Sequence, residues 1–389
     1  MSETPSSRRL RAAMIGGGQG AFIGAVHRMA LRLDDRFELL AGVFSSQPER
    51  NRQSALELHI EPARCYADVA ALIDGEAGRE DAIEALIIVT PNHLHFEAAL
   101  SGLEAGLHVV CEKPMTLTAS EAQTLKRAAA KSTGHFLLAH TYAGYPMIQH
   151  ARELVARGEL GSLRHVQVEY VQEWLSDAQN DDNRQAAWRL DPTKAGAAGC
   201  LGDIGVHAFQ LAQCVTGQKV AGVSASLSTA VAGRALDDSV QALLRFEGGA
   251  SGMLWASQCA PGFENALSIR VVGEKASLSW AQESPNELWL KPLNAPSQRL
   301  TRRDDAVSQA VARSIRLPGG HPEGYIESFA NLYQAFADGV QANGRPDWLP
   351  GIEDGVDGMR FIEAAIASSH GDGVWTALVG DDHDGERDG

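Results

Sequence analysis

Residues 12–24 read Ala-Ala-Met-Ile-Gly16-Gly17-Gly18-Gln19-Gly20-Ala21-Phe22-Ile23-Gly24, a short apolar run, a cluster of glycines and the start of a helical stretch that continues to about Leu33. Strand, glycine turn and helix amino end in that order leave free backbone N–H groups and a positive dipole end, a place that receives a pyrophosphate. The match to GxGxxG is imperfect. It can be made as Gly16-x-Gly18-x-x-Ala21 or started at Gly18-x-Gly20. Gly16, Gly18, Gly20, Ala21, Phe22 and Ile23 are the expected lining of this loop. Working outward, further apolar runs at residues 37–44, 85–89, 107–111 and 136–139 alternate with helical stretches. This alternation predicts an α/β fold, a Rossmann-type doubly wound parallel sheet over residues 10–140.

The strand ends carry the chemistry, because open α/β sheets hold ligands at the carboxyl ends of their strands. The second strand ends at Ser45-Ser46-Gln47-Pro48, with Arg50 in the next helix. A dinucleotide site usually has a carboxylate there to bind the ribose 2′-hydroxyl. Its absence, with Arg50 nearby, admits NADP, yet serine hydroxyls serve a ribose equally well, so NAD and NADP both stand. The third strand stops at Thr90-Pro91-Asn92-His93-Leu94-His95, where Asn92 can cap a helix starting near His93. Thr90, Asn92 and His95 are expected to line the cofactor. The fourth ends in Glu112-Lys113-Pro114, a lone lysine delivered to the ligand edge. Thr118 and Glu121 predict a capping box opening a helix to about Lys131.

Beyond residue 140 the pattern changes. Alternating segments at 163–173, 220–231, 239–246, 252–258, 266–272, 276–280 and 287–290 predict a mostly antiparallel sheet, with hairpin turns at Gly248-Gly249 and Gly273-Glu274-Lys275. The chain therefore divides into a tail at 1–9, a dinucleotide-binding domain at 10–140, a substrate-binding and oligomerisation domain at 141–375 and an acidic tail at 376–389. One face of the second sheet has no helices to cover it, which predicts a homodimer or homotetramer formed through that face.

Composition narrows the partners. A net charge of −15 argues against nucleic acid, whose phosphates need a basic patch. Part of the acidic excess sits in the final residues, at Asp381, Asp382, Asp384, Glu386 and Asp388. Five scattered cysteines without a CxxC pair suit neither a disulfide framework nor a structural zinc site, and no metal is expected. No run approaches the roughly 18 apolar residues of a membrane span, and the first residues hold no apolar signal core. A cytoplasmic protein is expected.

Far from the lysine lies Gly202-Asp203-Ile204-Gly205-Val206-His207. The apolar positions Ile204, Ala208, Leu211, Ala212 and Val215 predict a helix from Asp203, with Asp203 and His207 four apart on another face. Asp203 is either an acid of a reactive site or the cap of that helix. A preceding loop holds Trp174, Trp188 and Arg189, while Tyr142, His321 and Tyr325 adjoin other predicted elements. These six are the candidate substrate contacts beside Lys113, Asp203 and His207.

The glycine loop, the TPNxxH strand end, Glu-Lys-Pro and GDIGVH together resemble the glucose-fructose oxidoreductase, inositol dehydrogenase and rhizopine-catabolism (Gfo/Idh/MocA) family, over about residues 10–375. The long loop GGGQGAFIG and the Trp188-Arg189 segment are similar to the levoglucosan dehydrogenase branch. The resemblance implies an NAD(P)-dependent dehydrogenase acting on a sugar or cyclitol alcohol, with Lys113, Asp203 and His207 as its catalytic set. It also implies that Glu112 and Lys113 border the cofactor, and it suggests a cis Lys113-Pro114 bond. An inositol or aminocyclitol dehydrogenase would use the same three residues. A silent dinucleotide-sensing regulator would have no need to keep them. Removal of a hydroxyl proton needs a base and a group that stabilises alkoxide charge. His207 suits the first role and Lys113 the second, with Asp203 orienting; a buried lysine exchanges the roles.

Overall fold

The computed structural model describes residues 8–177, 184–303, 307–342 and 344–378. Both expected tails therefore lie largely outside the described residues, as does part of the loop between Trp174 and Trp188. Two compact units emerge, Met1–His150 with Thr301–Val356, and Ala151–Leu300 with Asp357–Gly389.

The first unit begins with β1 (Leu10–Gly16), α1 (Phe22–Leu33), β2 (Phe37–Val43), α2 (Pro48–Glu57), α3 (Val69–Glu76) and β3 (Ala85–Val89). It continues with α4 (His95–Glu104), β4 (His108–Cys111), α5 (Ala119–Ala129) and β5 (Phe136–Leu138). The strands lie in the order β2-β1-β3-β4-β5, all parallel. All five residues of β3 are buried, as a parallel strand covered on both faces requires. The order reverses between β1 and β3. Gly16 pairs with Val89 at that point, so the glycine loop and Thr90 leave the sheet side by side. Thr118 and Glu121 form the expected capping box at the start of α5. Helix α4 starts at His95 rather than near His93, because a 3-10 turn, Asn92–Leu94, follows Pro91 first.

The chain leaves this unit along α6 (Pro146–Ala156) and enters β6 (Leu163–Val171), α7 (Arg184–Arg189), α8 (Pro192–Ala195) and α9 (Val206–Thr216). There follow β7 (Val220–Ser228), β8 (Ser239–Phe246), β9 (Ser251–Ser257), β10 (Ala266–Gly273), β11 (Ala276–Ala281), β12 (Glu287–Pro292) and β13 (Gln298–Thr301). The last elements are α10 (Gln309–Ala312), α11 (Tyr325–Ala342), α12 (Ile352–His370) and β14 (Thr376–Ala377). The second sheet runs β13-β12-β11-β10-β6-β9-β8-β7-β14. It is mostly antiparallel, with β6 and β9 parallel. Strands β8 and β9 alternate: Val240, Ala242 and Leu244 are buried, while Leu243 and Met253, directly opposed across the pair, stay 49% and 47% exposed.

One expectation is corrected. Residues 301–356 were read as part of a continuous second domain, yet they group with the first unit. Helix α11 puts Phe329, Tyr333 and Phe336 into the core formed by Leu10, Met14, Val26, Leu31 and Phe37. An amphipathic helix carries no mark of which apolar surface it will cover. Among the described residues, no helix is long and apolar enough to cross a membrane.

Candidate active site

In the first unit the glycine loop is shaped by close approach. Gly16, Gly17 and Gly20 have φ of 83°, 70° and 75°, and a Cβ on Gly18 would come within 2.5 Å of the Phe44 carbonyl oxygen. Gln19 N–H donates to Ser54 Oγ at 3.0 Å, and the Arg50 guanidinium donates to the Gln19 carbonyl. Arg50 thus ties α2 to the loop. Helix α1 opens after Ala21 with no side-chain cap and no acidic residue in its first turn. Its free N–H groups and dipole are not answered by a side chain of its own, the condition under which an anion is held there. Phe22 is largely exposed beside them.

At the other strand ends the side chains turn inward more than expected. His95 has no exposed surface. Its Nδ1 lies 2.8 Å from the Pro114 carbonyl oxygen and its Nε2 2.9 Å from that of Thr90. Burial lowers its pKa against the pull of the two carbonyls. The ring spans the ends of β3 and β4, and a neutral imidazole with its one N–H donates to one of the two carbonyls. Asn92 is buried as well. The Lys113-Pro114 bond is cis, as the resemblance suggests.

Glu112 is also turned inward. Its Oε1 accepts from His27 Nε2 at 2.8 Å and its Oε2 from the Lys113 backbone N–H at 3.0 Å. Burial raises the carboxyl pKa, but the His27 hydrogen bond and the Lys113 charge outweigh it and hold the group below the ordinary carboxylate range. His140, at the end of β5, was missed in the sequence. It is buried, and desolvation together with the Lys113 charge lowers its pKa to about 3. The charge of Lys113 therefore acts on both an uncharged imidazole and a carboxylate. Tyr142 is buried, and its ring lies 6.3 Å from that of Tyr325. His321 is exposed and bonded locally to Pro318, with its carbonyl taken by Arg302.

In the second unit, Asp203 falls within a π-helical turn, Leu201–Gly205, and α9 proper begins at Val206. The expected α-helix from Asp203 is corrected by one turn of a different geometry, of a kind that recurs at functional sites. The turn is anchored from below: both Asp237 carboxylate oxygens accept backbone N–H groups, Gly199 at 2.6 Å and Leu201 at 2.8 Å. Asp203 Oδ2 accepts from Arg189 Nε at 3.0 Å and from Gln258 Nε2 at 2.8 Å. That makes Asp203 a held carboxylate, not a helix cap. The Arg189 guanidinium lies 4.3 Å from the Trp188 ring centroid and 5.7 Å from that of Trp174, a stacked cation in reach of two π-faces. Three of the candidate substrate residues therefore gather at Asp203. His207, buried to 7% exposure, lies with its ring 6.2 Å from Tyr170. Gln258 and Tyr170 had no signal in the sequence, since each is a single polar residue, one just past the end of β9 and the other on β6.

Residues 10–140 match the model of an oxidoreductase family with an NAD-binding Rossmann fold, and residues 148–279 match that of the GFO/IDH/MocA C-terminal domain. The uncharacterized oxidoreductase YfiI of Bacillus subtilis (strain 168) is 33% identical over 95% of this chain and 97% of its own. The chain belongs to the Gfo/Idh/MocA oxidoreductase family. It is an enzyme with an NAD-binding Rossmann domain, and its relatives include sugar and inositol dehydrogenases. Levoglucosan dehydrogenase of Pseudarthrobacter phenanthrenivorans is 29% identical over 95% of this chain and 98% of that protein. An inositol dehydrogenase homolog from Azotobacter vinelandii, solved with NADH and myo-inositol, is 36% identical with a TM-score of 0.89, covering 95% of this chain and 98% of that one.

The residues present fit such a cofactor. The loop backbone at Gly18 leaves no room for a side chain, and the amino end of α1 has donors without a side-chain partner. Gly16, Gly18, Gly20 and Ala21 would hold the pyrophosphate, with Ser45, Ser46 and Arg50 toward the adenosine end.

Proposed function

We propose that this enzyme oxidises a secondary hydroxyl on a cyclic polyol, a pyranose or anhydrosugar, with Lys113, Asp203 and His207 as the catalytic set. The observation that carries the reading is an acid, Asp203, held by Arg189 and Gln258 on the turn leading to His207. When bound, the nicotinamide supplies a hydride acceptor. The residues do the rest. Lys113 hydrogen-bonds the reacting oxygen and stabilises its developing charge. His207 takes the hydroxyl proton. Asp203, fixed by its two partners, orients a neighbouring hydroxyl, and the Trp174 and Trp188 faces suit the apolar C–H surface of a sugar ring. The NADH and myo-inositol bound by the Azotobacter vinelandii homolog and the name of the Pseudarthrobacter enzyme support a cyclic polyol. An inositol is the second reading, favoured by the higher identity to that homolog.

The test is reduction of NAD and of NADP by the purified chain against anhydrosugars, aldoses and inositols, repeated with Lys113→Ala and His207→Ala across pH. Turnover on one of these classes, reduced at least about 100-fold in both variants, is the expected result. Near wild-type turnover in both variants overturns the assignment. We also propose a cytoplasmic location, consistent with five free cysteines, and association of copies through the face bearing Leu243 and Met253.

A further inference from the structure

A chain of three buried side chains runs beneath the strand end that carries Lys113. His27 comes from α1, Glu112 from the end of β4 and Tyr333 from α11; they are 0%, 6% and 2% exposed. His27 Nε2 is 2.8 Å from Glu112 Oε1, and His27 Nδ1 is 2.6 Å from the Tyr333 hydroxyl. The remaining carboxylate oxygen, Oε2, accepts the Lys113 backbone N–H. Phe329 packs on the imidazole at 4.8 Å between centroids, and Tyr333 meets it edge-on.

The two hydrogen bonds that end on the carboxylate have a set direction. An ionised carboxylate only accepts, so His27 Nε2 carries a proton. Burial, followed by the Glu112 charge, pushes the Tyr333 phenol well above its ordinary value and keeps its O–H intact. To a neutral imidazole protonated at Nε2 that O–H donates at Nδ1, which fixes the tautomer, and the imidazole in turn fixes the carboxylate. The carboxylate then grips the peptide group of Lys113. The hydrogen bonds of the three side chains thus run to one another and to the lysine's backbone.

We propose that His27 and Tyr333 are positioning residues for Lys113, acting through Glu112. This rests on the reading of Lys113 as a catalytic residue. The glycine-loop helix that bears His27 and the returning helix that bears Tyr333 thereby set where the lysine side chain begins. Preorganised groups of this kind matter because a displacement of about 1 Å at a reacting centre costs on the order of 100-fold in rate.

The experiment compares His27→Leu, His27→Gln and Tyr333→Phe, alone and in the Lys113→Ala background. Steady-state kcat and KM are measured on the substrate the panel identifies, and NADH Kd by fluorescence titration. His27→Leu is expected to lower kcat about 100-fold with NADH Kd changed less than about 3-fold. His27→Gln, whose amide can donate to Glu112 and accept from Tyr333, recovers most of that loss. Tyr333→Phe, the mildest change and the one most sure to fold, lowers kcat about 10-fold by releasing the tautomer. In Lys113→Ala the His27→Leu change costs nothing more. A merely structural role would reduce the folded fraction without this split or this non-additivity. Wild-type kcat in His27→Leu and Tyr333→Phe, when Lys113→Ala has lost turnover, overturns the proposal alone. The same follows from a His27→Leu cost undiminished in the Lys113→Ala background. Full turnover in Lys113→Ala overturns both this proposal and the reading beneath it.

Discussion

Replacing Gly24 with alanine tests the link between helix packing and cofactor binding. Gly24 lies in the first turn of α1, and a Cβ there would sit 2.3 Å from Gly17 Cα and 2.8 Å from the Gly17 carbonyl oxygen. Ordinary carbon contacts lie at about 3.5–4.0 Å, so the helix start or the loop must move by more than about 1 Å. Both partners are backbone. No side chain can rotate away, which places the change among overpacking substitutions that cost about 1–3 kcal/mol. The same shift withdraws the amino end of α1 from a bound pyrophosphate. Loss of one charge-assisted hydrogen bond, about 1.5–3 kcal/mol, corresponds to a Kd about ten- to more than a hundredfold higher. The assay is NADH titration by fluorescence together with thermal melting, with Gly324→Ala as control, since a Cβ there meets nothing within 4 Å. The control should melt within about 0.5 kcal/mol of wild type. A Gly24→Ala enzyme with wild-type Kd and wild-type melting refutes the packing argument. A lowered melting point with unchanged Kd refutes the link between this contact and the cofactor loop.

Two further outcomes are expected. The His140 ring has a folded pKa of about 3, whereas an unfolded histidine titrates near 6.5; between those values the unfolded chain binds the extra proton, so stability falls as pH is lowered through that window, by up to about 1.4 kcal/mol per unit. In denaturant titrations His140→Gln should flatten the slope between pH 4 and 6, and an unaltered slope would count against the assignment. On the second sheet, the wild-type chain should scatter light as a dimer or tetramer at micromolar concentration. Met253→Glu, placing a charge opposite Leu243 on the exposed face of β9, should shift the mass toward a monomer. A strict wild-type monomer removes the proposed association.

Much of the fold was legible because period and punctuation are local. The run at 85–89 without alternation marks a strand covered on both sides, and it is wholly buried. Thr118 and Glu121 are three residues apart, and their capping box needs nothing from the rest of the chain. Lys113, Asp203, His207 and Arg189 stood out because unusual residue types stand there beside glycines and prolines that end elements, and the structure brings Arg189 to Asp203. The burial of His95 and Asn92 at their strand end was not legible, because sequence marks a polar residue near a strand end but not which way it turns.

By itself the sequence determined the two kinds of sheet, the glycine loop at the start of α1 and the strand end that carries Lys113. These follow from side-chain period and backbone stereochemistry over a few residues. The tertiary structure alone decided that α11 returns to the first unit and sets Tyr333 against His27, 306 residues away, and that Asp203 is gripped by Arg189 and Gln258 within a π-helical turn. The reason is that a buried polar group must find a partner wherever the completed core supplies one, and which partner comes within reach is settled only when the elements have packed.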